Sequence, residues 1–290
     1  MSILRELYRI FSCPDDGAGL RLFVDSLECI RCKRQYPILA HNMVELLPLQ
    51  ASPLEDSSAY ARGYTAEGEM PFSWRPDSLA WGAPEEFPRD WVERKYRQVA
   101  AVRGLLDESA EPKSLLCDFS AGAGYYTLAY AKDWRSVVHC DLSVDSLNYT
   151  HRKSAKLGID NILFARMDYL RPAFRRSLQR VICLDSLIRG EPHEKLLLQS
   201  IRNSLDERGA AIVDFHNWWH NPLRRLGLLR NNFGANRSYG RRELDRLLSA
   251  AGIAGSNCFP FHQESSFLQH FLPPTRWMYR FSGEASHATH

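Results

Sequence analysis

Leu115-Leu116-Cys117-Asp118-Phe119-Ser120-Ala121-Gly122-Ala123-Gly124-Tyr125-Tyr126 reads as a buried strand, a glycine-bearing turn and the first turn of a helix. An acid closing such a strand can accept hydrogen bonds from a cationic or polyhydroxyl ligand. Gly122 and Gly124 let backbone approach closely, and the helix start offers free N–H groups. Ser120 stands where the first glycine of a dinucleotide fingerprint would be. Val137-Val138-His139-Cys140-Asp141 is a second short strand ending in an acid, 17 residues past Gly124. That is near the roughly 20-residue βαβ spacing at which a carboxylate meets ribose hydroxyls. A nucleoside-containing ligand is the expectation.

Two more strand-like runs follow, Asn161–Asp168 and Arg180–Ser186. Asp118, Asp141, Asp168 and Asp185 thus fall at or just beyond the carboxyl ends of successive strands, the edge where open parallel sheets bind ligands. The fold class expected is α/β, a Rossmann-like parallel sheet.

With these four acids in place, the chain resembles the class I S-adenosylmethionine-dependent methyltransferases over roughly residues 90 to 282. The resemblance implies that the segment Asp118 to Gly124, with Ser120 and Gly122, wraps the methionine part of S-adenosyl-L-methionine. It implies that Asp141 holds the ribose, that Met167 and Asp168 flank the adenine, and that Asp185 lies at the methyl-transfer end.

A chain of 290 residues with 44% apolar content is long enough for one sizeable core and a small appendage. Charge is uneven: residues 1–120 hold 14 Lys/Arg against 19 Asp/Glu, and residues 121–290 hold 23 against 15. The basic excess gathers at Arg224, Arg225, Arg230, Arg237, Arg241, Arg242 and Arg246, as a solvated helix face or a contact for an anionic substrate or nucleic acid. Arg5, Glu6 and Arg9 interrupt the apolar start, so no signal peptide is read, and no stretch has the length of apolar residues that spans a bilayer. A soluble, cytoplasmic protein is expected.

Cys117, Cys140, Cys183 and Cys258 sit in strand-like segments and read as packing residues. Cys13, with Asp16 three residues on, and Cys29-Ile30-Arg31-Cys32 form the two-knuckle layout by which a small ribbon holds tetrahedral zinc, Asp16 replacing one cysteine. The expected ligands are Cys13, Asp16, Cys29 and Cys32, with His41 a further candidate. Residues 1–48, through Cys13-Pro14, Cys29 to Cys32 and Tyr36-Pro37-Ile38, resemble the small zinc-ribbon subunit that activates tRNA, rRNA and protein methyltransferases. The same module occurs fused ahead of bacterial methyltransferase domains, which fits a methyltransferase downstream.

The domain reading is therefore a zinc-ribbon-like unit over 1–48, an aromatic and Pro-rich connecting lid over 49–88, a methyltransferase domain over 89–282 and a frayed tail over 283–290. Helical spacing from Trp91 to Leu105 predicts a helix leading into the Asp118 strand. A second helix through Leu196 and Ile201 is expected to stop at Gly209 before the strand Ala210–Phe215.

His216 begins the segment after that strand and is placed to face the pocket. Its intrinsic pKa suits a general base, with Asp185 second and His220 or His193 behind. His139, inside the second strand, reads as structural. No Asn-Pro-Pro-Tyr, Asp-Pro-Pro-Tyr or Pro-Cys sequence follows the fourth strand. These absences favour O-methylation, or N- or C-methylation, of a small-molecule metabolite, with an anionic acceptor compatible with the arginines. The alternatives are an RNA base methyltransferase, resembling the rRNA guanine methyltransferases that carry a zinc ribbon, and a non-catalytic partner-binding protein.

Overall fold

The computed structural model describes residues 7–39, 42–50, 89–107, 113–219, 230–231, 234–235, 237–262 and 271–283. The expected lid beyond Gln50, His41, His220, most of the arginine-rich segment before Arg237, and the tail after Gly283 lie outside these residues.

In chain order the strands are β1 (Leu20–Leu22), β2 (Ser26–Cys29), β3 (Gln35–Leu39), β4 (Met43–Leu46), β5 (Leu115–Phe119), β6 (Ser136–Asp141), β7 (Ile162–Met167), β8 (Leu178–Cys183) and β9 (Leu205–His216). They continue with the short pair β10 (Arg230–Asn231) and β11 (Gly234–Ala235), then β12 (Asn257–Phe261) and β13 (Arg276–Ser282). The helices are α1 (Arg89–Asp107), α2 (Tyr125–Tyr130), α3 (Val144–Lys156), α4 (His193–Ser204) and α5 (Arg241–Ala250).

One sheet takes all strands but β10 and β11, in the order β1-β2-β3-β4-β7-β6-β5-β8-β9-β13-β12. From β4 to β9 the neighbours are parallel, and β13 runs antiparallel between β9 and β12. Every residue of β5 and β6 is buried, as a parallel strand covered on both faces requires. Alternation divides the core: Leu115, Cys117 and Phe119 join α4 and α5, whereas Leu116 joins α1, α2 and α3.

The N-terminal residues extend this sheet. β4 lies parallel beside β7, pairing Met43 with Phe164 and Leu46 with Met167. Tyr8, Phe11, Leu27 and Tyr36 enter the same core as Leu115 and Phe119. Phe11 bridges to Phe174, and the aromatic rings of Phe11, Phe174 and Phe119 follow one another at 5.3 and 5.5 Å. Residues 7–47 therefore share one hydrophobic core with the main sheet.

The expected helix stop at Gly209 is corrected. α4 ends at Ser204, and Leu205 is already extended. Gly209 lies within β9, where a Cβ would collide with the backbone of Leu178 at an irregularity in the β8–β9 pairing. Among the described residues, no helix is long and apolar enough to cross a membrane.

Candidate functional site

The turn after β5 is held open by backbone that ordinary residues avoid. Ser120 has φ 56°, Gly122 53° and Gly124 71°. A Cβ at Gly124 would also overlap the side chain of Thr150, so glycine is required there twice over. Asp141, the last residue of β6, fixes the turn from beside it. Its carboxylate accepts the Gly122 amide at 2.7 Å and the Ser143 amide at 2.9 Å. Ser143 in turn caps α3 by accepting the Ser146 amide at 3.3 Å. Burial raises the Asp141 carboxyl to about 6 despite these donors.

Asp118 is buried at the end of β5 and accepts the Thr127 hydroxyl at 2.7 Å. Desolvation pushes it up to about 7, against the pull of the Thr127 hydroxyl and amide. Met167 closes β7 as a buried side chain, and Asp168 just beyond it is buried and accepts the Leu170 amide at 2.9 Å. The order β7-β6-β5-β8 thus brings Asp168, Asp141, Asp118 and Asp185 to one edge of the sheet.

Asp185 differs from the other three. It is a non-glycine residue at φ 61°, and its side chain is 32% exposed. Lys95 Nζ of α1 lies 2.7 Å from its Oδ2, the Tyr126 hydroxyl donates to the same oxygen at 2.8 Å, and Arg276 of β13 lies 2.5 Å from Oδ1. Burial opposes ionisation, but Arg276, Lys95 and His216 together hold the carboxyl well below the usual range. Arg276 also reaches Asp214 at 2.5 Å, and Gln98 donates to that carboxylate at 3.0 Å. Burial raises Asp214. A carboxylate held this firmly ionised is a weak proton acceptor and a strong partner for a cation.

His216 ends β9, half-buried, opposite Arg276 in the β9–β13 pairing. It is near enough to Asp185 for its charge to be felt there. His193 is buried at the start of α4, its Nε2 2.9 Å from the Tyr169 hydroxyl, so it belongs to the packing beneath the edge.

Sequence reasoning missed Lys95, Gln98, Tyr126, Thr127, Asp214 and Arg276. The one signal available was a lone charge inside an apolar run, as at Asp214 in Ile212-Val213-Asp214-Phe215.

The second cluster lies in the N-terminal strands. The ligand atoms of Cys13, Asp16, Cys29 and Cys32 all lie within 4.8 Å of one another. Cys13 and Cys32 Sγ are 3.7 Å apart, and Cys29 Sγ is 3.5 Å from Asp16 Oδ1. The Arg31 and Cys32 amides both point at Cys29 Sγ from 3.4 Å, the environment a thiolate needs. Three thiols and a carboxylate converging in this way fit tetrahedral zinc.

No family model matches the chain, and no curated protein matches it by sequence. Solved structures do. Magnesium protoporphyrin IX methyltransferase from Synechocystis PCC 6803, with bound S-adenosylhomocysteine, superposes with a TM-score of 0.53 at 16% identity, covering 78% of this chain and 98% of that one. An S-adenosylmethionine-dependent methyltransferase from Clostridium acetobutylicum gives 0.50 at 15%, covering 66% and 91%. A possible histamine N-methyltransferase from Thermotoga maritima gives 0.50 at 13%, covering 71% and 98%. With the strand order and the carboxyl-edge loop described above, the chain has the fold of the S-adenosylmethionine-dependent methyltransferases.

Proposed function

We propose that this protein is an S-adenosylmethionine-dependent methyltransferase that modifies a small-molecule acceptor, at oxygen first and otherwise at nitrogen or carbon. The observation that carries the reading is the pinning of the Ser120–Gly124 loop by Asp141, at the sheet edge shared with Asp118, Asp168 and Asp185. That edge suits an adenosyl ligand bearing a cationic end.

The loop Ser120–Gly124 would hold the methionine part of the cofactor, Asp141 the ribose, and Met167 with Asp168 the adenine. When bound, the cofactor supplies an electrophilic methyl group. The protein's task is then to align the acceptor with that methyl and exclude water. Asp185, kept ionised by Arg276 and Lys95, would serve as an electrostatic anchor that holds both cations at this edge. This leaves His216 as the group to take a proton from an oxygen or nitrogen acceptor. Cys13, Asp16, Cys29 and Cys32 would hold a structural zinc that ties the two N-terminal knuckles together.

The test is incubation with methyl-labelled S-adenosylmethionine and fractionated cell extract, read by mass spectrometry. Label in a small-metabolite fraction, reduced by His216→Ala at unchanged cofactor affinity, is the expected result. Label in RNA would move the acceptor to nucleic acid, and absence of both label and cofactor binding would leave a partner-binding protein.

A further inference from the structure

Asp118 and His139 stand opposite each other in the β5–β6 pairing, and Thr127 of α2 spans them. Its hydroxyl oxygen lies 2.7 Å from Asp118 Oδ2 and 2.8 Å from His139 Nδ1. All three side chains are buried, at 1%, 0% and 0% exposure for Asp118, Thr127 and His139. A hydroxyl carries one proton and cannot donate in both directions. The chain of hydrogen bonds must therefore run one way or the other.

When Asp118 is a carboxylate, Thr127 donates to it and must accept from His139, whose proton then sits on Nδ1. When Asp118 is a carboxylic acid, its O–H donates to Thr127, Thr127 donates to Nδ1, and the proton of His139 must sit on Nε2. Going from the first state to the second adds one proton at Asp118 and moves one from Nδ1 to Nε2, so the count closes and the imidazole stays neutral. Nε2 has no hydrogen-bond partner among the described residues, while the backbone of Gly122 is close enough to favour a proton on the ring. Gly122 belongs to the loop that Asp141 pins.

We propose that His139 is a positioning residue for the cofactor site, its tautomer coupled to the ionisation of Asp118 through Thr127. The proposal rests on the functional reading above, in which a negative strand end favours a cationic adenosyl ligand. Burial places Asp118 at about 7 and drives His139 down to about 3, so near neutrality the acid titrates and the ring changes only its tautomer. The groups facing Asp118 allow this. Asp141 on β6 raises it further. Tyr130 on α2, Cys117 on β5 and Cys183 on β8 sense its charge but are kept neutral by their own burial.

The experiment is nitrogen-15 NMR of the His139 ring in the ligand-free protein from about pH 5 to 9, with calorimetry of S-adenosylhomocysteine binding. A shift from Nε2–H to Nδ1–H as pH rises, with the midpoint at the Asp118 titration, is expected. His139→Leu should weaken binding above the midpoint by about fivefold or more, and His139→Asn, which keeps an amide near the Nδ1 position, should restore it to within about twofold. Thr127→Val breaks the same chain and should behave like His139→Leu, covering a failure of the leucine variant to fold. A tautomer that does not change across the range, or variants that bind like the parent, would overturn the proposal. The ring measurement needs no ligand, so it decides the coupling even if the protein binds no adenosyl compound, an outcome that would instead overturn the functional reading.

Discussion

Lys95 Nζ lies 2.7 Å from Asp185 Oδ2, so the helix ahead of β5 is joined directly to the far end of β8 across the carboxyl edge of the sheet. Lys95 also lies 5.3 Å from the Tyr126 ring centroid and 3.2 Å from its hydroxyl. Removing one member of a pair this sheltered leaves the other charge short of partners. Lys95→Met should therefore cost about 1–3 kcal/mol in urea unfolding. A loss below about 0.5 kcal/mol would mean that Arg276 and the Tyr126 hydroxyl suffice to hold Asp185.

The four-ligand cluster predicts one zinc per chain in native mass spectrometry. Cys29→Ser should abolish it, since Cys29 is the thiol that both knuckle amides address. Asp16→Cys should tighten zinc in competition with a chromogenic chelator, because a fourth thiolate is the softer ligand. Equal zinc affinity in Asp16→Cys and the parent would remove Asp16 from the ligand set.

The shared core predicts cooperative unfolding. Phe11 is fully buried, and its neighbours Ser12 and Arg175 exchange backbone bonds with Ala173 and Ile10 at 2.9 and 2.8 Å. The N-terminal strands and the main sheet should melt in a single calorimetric transition. Phe11→Ala should lower that one transition, at a cost of about 3–5 kcal/mol, and not create a separate early one. Two resolved transitions in the parent protein would show that the ribbon folds independently.

Stability should depend on pH in two opposed ways. Asp118 and Asp141 have folded pKa values raised to about 7 and about 6 from 3.8, so the native state holds more protons than the unfolded chain between those limits. Their contribution is greatest below the unfolded value and falls as pH rises through the folded ones. His139 is depressed from 6.5 to about 3, so its contribution is full above the unfolded value and falls as pH drops. His139→Leu should accordingly gain on the parent as pH is lowered from about 6.5, and Asp118→Asn should gain as pH is raised from about 4 to about 7. Urea unfolding across that range checks both signs.

The parts of the site written within one strand and its following turn were legible in sequence. Leu115 to Tyr126 carries its own strand, glycine turn and helix, and Asp141 and Asp168 end apolar runs that can be read alone. Lys95, Asp214 and Arg276 were not legible, because their meeting depends on β13 entering the sheet between β9 and β12. No local pattern encodes that insertion. The pairing of β4 with β7 is equally non-local. Gly209 misled because a glycine after a helix resembles a cap, while here it admits the backbone of Leu178. Position alone makes Asp185 a candidate base, and only the cations around it give its chemistry.

Calorimetric titration of the protein with S-adenosylhomocysteine, in parallel with Asp141→Ala, tests the central claim most directly. Loss of the Asp141 carboxylate releases the Gly122 amide and, on the proposed reading, removes the acceptor for the ribose. One-to-one binding by the parent, weakened in the variant by roughly 1.5–3 kcal/mol, is the predicted result. A parent protein that takes up no ligand, or a variant that binds as tightly as the parent, would contradict it.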